Sequence, residues 1–172
     1  MILNEKNTRS EQILHAAKQM MTAARTAPKT KGADFLEIAV VTENDIERVS
    51  KMLIEMHSEN QLPFFLRDAN SVLQAGAIVL IGVREKNRGL NCGYCGYPTC
   101  ETKPEQASCA FNSIDVGIAI GSACATAADL RVDTRVMYSA GVAAQRLNLL
   151  EDSKCTFAIL LSVSSKNPFF DR

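Results

Sequence analysis

Cys92, Cys95, Cys100 and Cys109 form a C-x2-C-x4-C-x8-C array, in a chain of 172 residues that has six cysteines in all. An iron–sulfur core needs several thiolates around a small inorganic cluster, and local cysteine runs of this kind supply them. The x2 spacing lets Cys92 and Cys95 share one tight turn and reach neighbouring irons. Gly93 and Gly96 follow two of the cysteines directly. Glycine accepts positive φ, and such a backbone can turn its N–H groups toward sulfur. Pro98 stiffens the approach to Cys100. A structural zinc site also uses C-x2-C, but usually as two pairs separated by a longer loop, and this chain has one pair. Disulfides or free thiols are the plainer alternative. The spacing alone admits a [2Fe–2S] centre; the compact, glycine-rich run favours [4Fe–4S]. Cys124 and Cys155 lie in apolar segments and read as inert, buried thiols.

Little else in the chain competes for chemistry. His15 and His57 are the only histidines; they are far apart, without metal spacing, and suit surface or helix-end roles. No G-x-S-x-G, P-loop or paired-carboxylate motif is present. Lys+Arg and Asp+Glu are both 19, so the formal net charge is zero. That balance argues against bulk electrostatic binding to nucleic acid or anionic lipid. The start, MILNEKNTRSEQ, has no apolar core of a signal peptide, and no run reads as a membrane span. A cytoplasmic protein is expected. There thiols stay reduced, and clustered cysteines point to metal or redox chemistry.

The elements that must position the array follow from periodicity. Hydrophobic residues are 47% and charged residues 22% of the chain, as in a globular protein. Thr8 and Glu11 form a T-x-x-E capping box ahead of Ile13, Leu14, Ala17, Met20, Met21 and Ala24 at helical spacing, and Pro28 and Gly32 stop that helix. Residues 34–41 read as a strand, and 42–57 as a helix with Ile46, Val49, Met52, Leu53 and Met56 on one face. A shorter helix closes at Gly76, and 77–83 is a continuous apolar run suited to a central strand. Residues 84 to about 110 have no period; an irregular stretch of that length in a compact domain is usually functional.

Beyond it, Ile114, Gly117, Ile118, Gly121, Ser122 and Ala125 share one face of a long helix. The other face is also apolar, so the helix is expected to be buried all round, with Gly117 and Gly121 admitting a second helix backbone. A strand at 132–137, a helix at 139–150 and a strand at 154–163 complete the pattern. In the tail NPFFDR, two phenylalanines look exposed and suit packing on a partner subunit. Alternating helices with about four strands give an α+β sandwich.

The run CGYCGYPTC resembles the iron–sulfur motif of electron-transport subunits such as those of the Rnf complex and the corrinoid iron–sulfur protein. Most of the remaining chain resembles the nitroreductase family: AARTAPKTKGADFLEIAVV its helix-to-strand segment, AGAIVLIGV its central strand, and DVGIAIGSACATAADLRVDTRV its long buried helix and following strand. Together, with the NPFFDR tail, the chain is similar to the family of ferredoxin-domain-containing proteins of unknown function. That resemblance implies a nitroreductase-like α/β/α sandwich spanning 1–172 as a single domain, with 84–110 an inserted iron–sulfur loop. It implies a homodimer, with FMN at the subunit interface as in nitroreductases. Lys29 stands where those relatives have Ser after Ala-Pro, and Gly32 where they have Asn. Arg25, Lys29 and Lys31 are the cations available to a flavin phosphate; the alternative is that they are solvated charges at a helix end.

The functional expectation is an iron–sulfur redox protein with one [4Fe–4S] cluster on Cys92, Cys95, Cys100 and Cys109. Electrons would pass to a redox partner protein or a small-molecule acceptor; with FMN also bound, the chain would be an oxidoreductase that splits a flavin's two electrons into single ones. The alternative is a zinc-stabilised, non-enzymatic binding module.

Overall fold

The computed structural model describes residues 1–170. The chain runs α1 (Glu5–Thr26), β1 (Leu36–Val41), α2 (Asn44–Asn60), α3 (Phe64–Leu73), β2 (Ala77–Arg84), α4 (Ala110–Asp129), β3 (Asp133–Met137), α5 (Tyr138–Arg146) and β4 (Ser153–Ser162). The strands form one sheet in the order β1-β2-β4-β3, with every pair antiparallel. Helices cover both faces, so the architecture is the expected α/β/α sandwich.

Side-chain alternation along the strands divides the core in two. Ala77, Val79, Ile81 and Val83 of β2, with Ile159 and Leu161 of β4, meet Ala17, Met20 and Ala24 of α1 and Val116, Ala119 and Ala123 of α4. Ile78 and Leu80, with Ala158 and Leu160, face Val49, Leu53 and Met56 of α2, Val72 of α3 and Ala140 and Ala144 of α5. The central strands β2 and β4 are thus apolar on both faces, as the continuous run at 77–83 required. The small residues of α5 allow close approach: a Cβ built on Gly141 would lie 2.0 Å from the carbonyl oxygen of Thr156.

Three expectations are corrected here. The first helix starts at Glu5, capped by Asn4, whose side chain accepts from Lys6 N; the Thr8 hydroxyl donates to the Glu5 carbonyl from within the helix. The Asn cap one turn earlier satisfies the Lys6 N–H and leaves Thr8 inside the helix. Second, α4 is not buried all round. Val116, Ala119, Ala123 and Ala127 are buried, but Ile114, Gly117, Ile118, Gly121 and Ala125 lie exposed, and nothing comes within 4 Å of a Cβ built at either glycine. By length and composition this helix could also cross a bilayer, against the expectation that no run reads as a membrane span; here its buried face packs on α1 and the sheet. Third, Phe169 is buried in the α2–α3–α5 core and only Phe170 is exposed. The last two residues of the tail lie outside the described residues.

Candidate metal centre

The segment between β2 and α4 sets the four array cysteines around one cavity, although among the described residues no three His, Cys, Asp or Glu side chains gather closely enough to hold a metal ion. Asn87, Arg88, Asn91, Cys92, Gly93, Cys95, Tyr97, Cys100, Lys103, Cys109 and Phe111 are among the residues around one small cavity. All four array cysteines are among them. Gly93 and Gly96 adopt φ of 74° and 87°, the backbone expected of them, and Gly96 N–H donates to Gly93 O at 2.9 Å. This closes the tight turn carrying Cys92 and Cys95.

Asn91 ties the start of the cysteine run to Cys100. Its N–H donates to Cys100 Sγ at 3.4 Å, and its side-chain oxygen accepts from Cys100 N at 2.7 Å. Asn87 Nδ2 donates to Cys100 O at 2.9 Å. Cys109 is buried and stands at the N-cap of α4. Glu85 holds that helix end: one carboxylate oxygen accepts from Cys109 N at 3.0 Å and from Asn112 Nδ2 at 2.8 Å. Tyr94 is exposed and stacks on Phe111 with ring centroids 5.7 Å apart; Tyr97 borders the cavity.

Beneath the loop lies a buried ion pair that local spacing does not announce. Arg88 Nη2 and Asp115 Oδ2 are 2.6 Å apart, with side chains only 2% and 1% exposed. Asp115 Oδ1 accepts from Thr30 N at 3.0 Å and from the Thr30 hydroxyl at 2.7 Å. Arg88 Nη1 donates to Ala33 O at 3.0 Å, and its guanidinium lies 4.5 Å from the Phe35 ring centroid. The α1–β1 connection, the cysteine loop and α4 are locked together at this point. Arg88 Nε is buried and has no hydrogen-bond partner among the described residues.

Arg25, Lys29 and Lys31 are committed to protein oxygens. The Lys29 ammonium is buried and donates to Ala24 O at 2.8 Å, to Ala27 O at 2.7 Å and to Arg25 O, so it closes the C-terminal end of α1. Burial pushes its pKa down, partly offset by Asp34. Arg25 donates to Asp34 at 2.8 Å and to Leu36 O at 3.0 Å. Lys31 Nζ is 3.5 Å from Arg88 O. As placed, the three do not form a phosphate site.

Cys124 and Cys155 are half-buried and outside the cysteine cavity. Burial raises both thiols' pKa values, against a lowering hydrogen bond from Thr134 and Ser113 respectively; the Glu85 charge raises Cys155 further. His15 is exposed, and His57 Nδ1 lies 3.0 Å from Leu62 O at the end of α2.

An uncharacterized protein of Archaeoglobus fulgidus is 41% identical over 182 residues, a match covering 100% of this chain and 98% of that protein. Residues 105–172 match the model of a family described as uncharacterized proteins containing a ferredoxin domain. The chain belongs to this family. Solved structures show the fold. The FMN-dependent nitroreductase NfnB from Mycobacterium smegmatis, in complex with NADPH, superposes with a TM-score of 0.62 at 10% identity, over 91% of this chain and 81% of that one. A nitroreductase from Desulfovibrio desulfuricans in complex with FMN gives 0.60 at 12% identity, over 89% and 75%. The hypothetical oxidoreductase YcnD from Bacillus subtilis gives 0.56 at 18% identity, and this chain spans only 58% of its length. The fold is therefore nitroreductase-like, in a smaller chain.

Proposed function

We propose that this protein is a redox protein whose resident group is one [4Fe–4S] cluster, bound by Cys92, Cys95, Cys100 and Cys109. The 84–110 loop then acts as an iron–sulfur insert in a single nitroreductase-like domain spanning 1–172. The observation that carries the reading is that four thiols from one loop border one cavity. The family's ferredoxin domain supports it. No observation favours the zinc-stabilised binding module. A cytoplasmic setting, where thiols stay reduced, belongs to the same reading.

When bound, such a cluster supplies one-electron transfer, its potential set by cluster type, hydrogen bonds to sulfur and burial. The chain's own residues account for the rest. The Gly93–Gly96 turn fixes Cys92 and Cys95, Asn91 donates to Cys100 sulfur, and the start of α4, held by Glu85, fixes Cys109. Cys92 and Tyr94 are exposed, which leaves one side of the loop open to a redox partner protein or a small-molecule electron acceptor.

The exposed stripe Ile114, Gly117, Ile118, Gly121 and Ala125 suits pairing of α4 with α4 of a second copy, giving a homodimer. Flavin is the second reading, favoured by fold neighbours described as FMN-dependent or in complex with FMN. Arg25, Lys29 and Lys31 are engaged by protein oxygens, so a flavin would need other donors for its phosphate.

Serine substitutions at the four array cysteines, one at a time, test the assignment. Each is expected to strip the broad visible absorption of anaerobically purified protein; unchanged spectra in all four would refute it.

A further inference from the structure

We propose that Arg88 is a positioning residue for the redox centre, with its Nε–H reserved as a hydrogen-bond donor to the group that fills the cysteine cavity. The inference rests on the cluster reading above and adds to it a residue that sets the potential. Arg88 borders the same cavity as the four cysteines. Its side chain is 2% exposed, and its charge is held in place by Asp115, by Ala33 O and by the face of Phe35. These contacts use Nη1 and Nη2 and fix the plane of the guanidinium. They leave Nε–H, buried and without an acceptor among the described residues.

Buried donors in folded proteins nearly always have partners, and the exceptions are concentrated where a ligand or function supplies one. The four cysteine sulfurs border this cavity, together with the side-chain oxygens of Asn87, Asn91 and Thr99, and a cluster held by those sulfurs would bring acceptors into it. Arginine suits the task better than lysine, because a planar fork can keep two donors on the protein and turn the third elsewhere. Hydrogen bonds and positive charge near a cluster stabilise its more negative, reduced form. Arg88 therefore holds the potential higher than the four thiolates alone would.

The test compares Arg88→Lys, which keeps the charge but has no Nε, with the double variant Arg88→Met/Asp115→Asn, which leaves no stranded partner charge. Iron and sulfide per chain are measured first, then the midpoint potential by EPR-monitored titration, then thermal unfolding. Both variants are expected to hold iron and to shift the reduced/oxidised ratio at fixed potential by about tenfold, or about 59 mV to more negative values for one electron. Iron-loaded variants that unfold earlier but keep the wild-type potential would overturn the tuning role and leave the cluster assignment standing. A wild-type chain that binds no iron would overturn both.

Discussion

Replacing Asp115 with alanine should be among the most destabilising single changes outside the apolar core. The carboxylate is 1% exposed and accepts from Arg88 at 2.6 Å and from Thr30 at 3.0 and 2.7 Å. Its loss strands a buried guanidinium, which costs about 3–5 kcal/mol where such pairs have been cut on one side. The stranded Thr30 N–H and hydroxyl add up to about 1–3 kcal/mol each where water does not reach them. For a chain of this size each kcal/mol lowers Tm by about 2–4 °C, so a drop of roughly 10 °C is expected. The assay is thermal unfolding of Asp115→Ala beside Arg88→Met and the double variant Arg88→Met/Asp115→Leu, with iron content recorded for every sample. Removing both charges together should cost less than removing either alone, because no charge is left unpaired. A loss below about 1 kcal/mol for Asp115→Ala would refute the buried lock between the α1–β1 connection, the cysteine loop and α4.

Three further outcomes follow from the same geometry. Gly141→Ala puts a methyl 2.0 Å from Thr156 O and 2.8 Å from Phe157 Cα, both backbone atoms of β4; it should cost at least about 1–3 kcal/mol by urea unfolding, as overpacking does, and a neutral effect would contradict the α5–β4 contact. Cys124→Ala and Cys155→Ala should leave iron content at the wild-type level, since neither borders the cavity; loss of iron in either would break the four-cysteine assignment. Burial of Asp34 alone would raise its pKa, but hydrogen bonds from Arg25 and Leu36 N and the nearby cations bring it below the usual 3.8. Its contribution is complete above that value and disappears as pH falls through the lower folded one, so Asp34→Asn should flatten the acid limb of the stability curve below about pH 4; an unchanged acid limb would contradict the pairing.

The parts of the molecule that local pattern controls were legible in the sequence. The cysteine spacing, the positive-φ glycines and the apolar run of β2 are short-range features, and each appears as expected. Alternation and helical period also placed the four strands and the α/β/α layering. What failed depended on partners elsewhere in the chain. The periodicity of α4 showed apolar residues on every side, but which side stays open depends on where α1 and the sheet lie. Lys29 and Arg25 looked like available cations, yet the free carbonyls of α1 and the Asp34 carboxylate take them up locally. Thr30 and Asp115 are 85 positions apart, and Arg88 and Asp115 are 27 apart; no spacing rule links such pairs. A buried-charge pattern beside the cysteine loop, an arginine in the loop and an aspartate on an otherwise apolar helix, was the available signal.

The central claim is tested most directly by anaerobic purification followed by iron, acid-labile sulfide, zinc and flavin assays on the same sample. A [4Fe–4S] centre on Cys92, Cys95, Cys100 and Cys109 predicts about four irons and four sulfides per chain. About one zinc per chain, with neither iron nor sulfide, would contradict it.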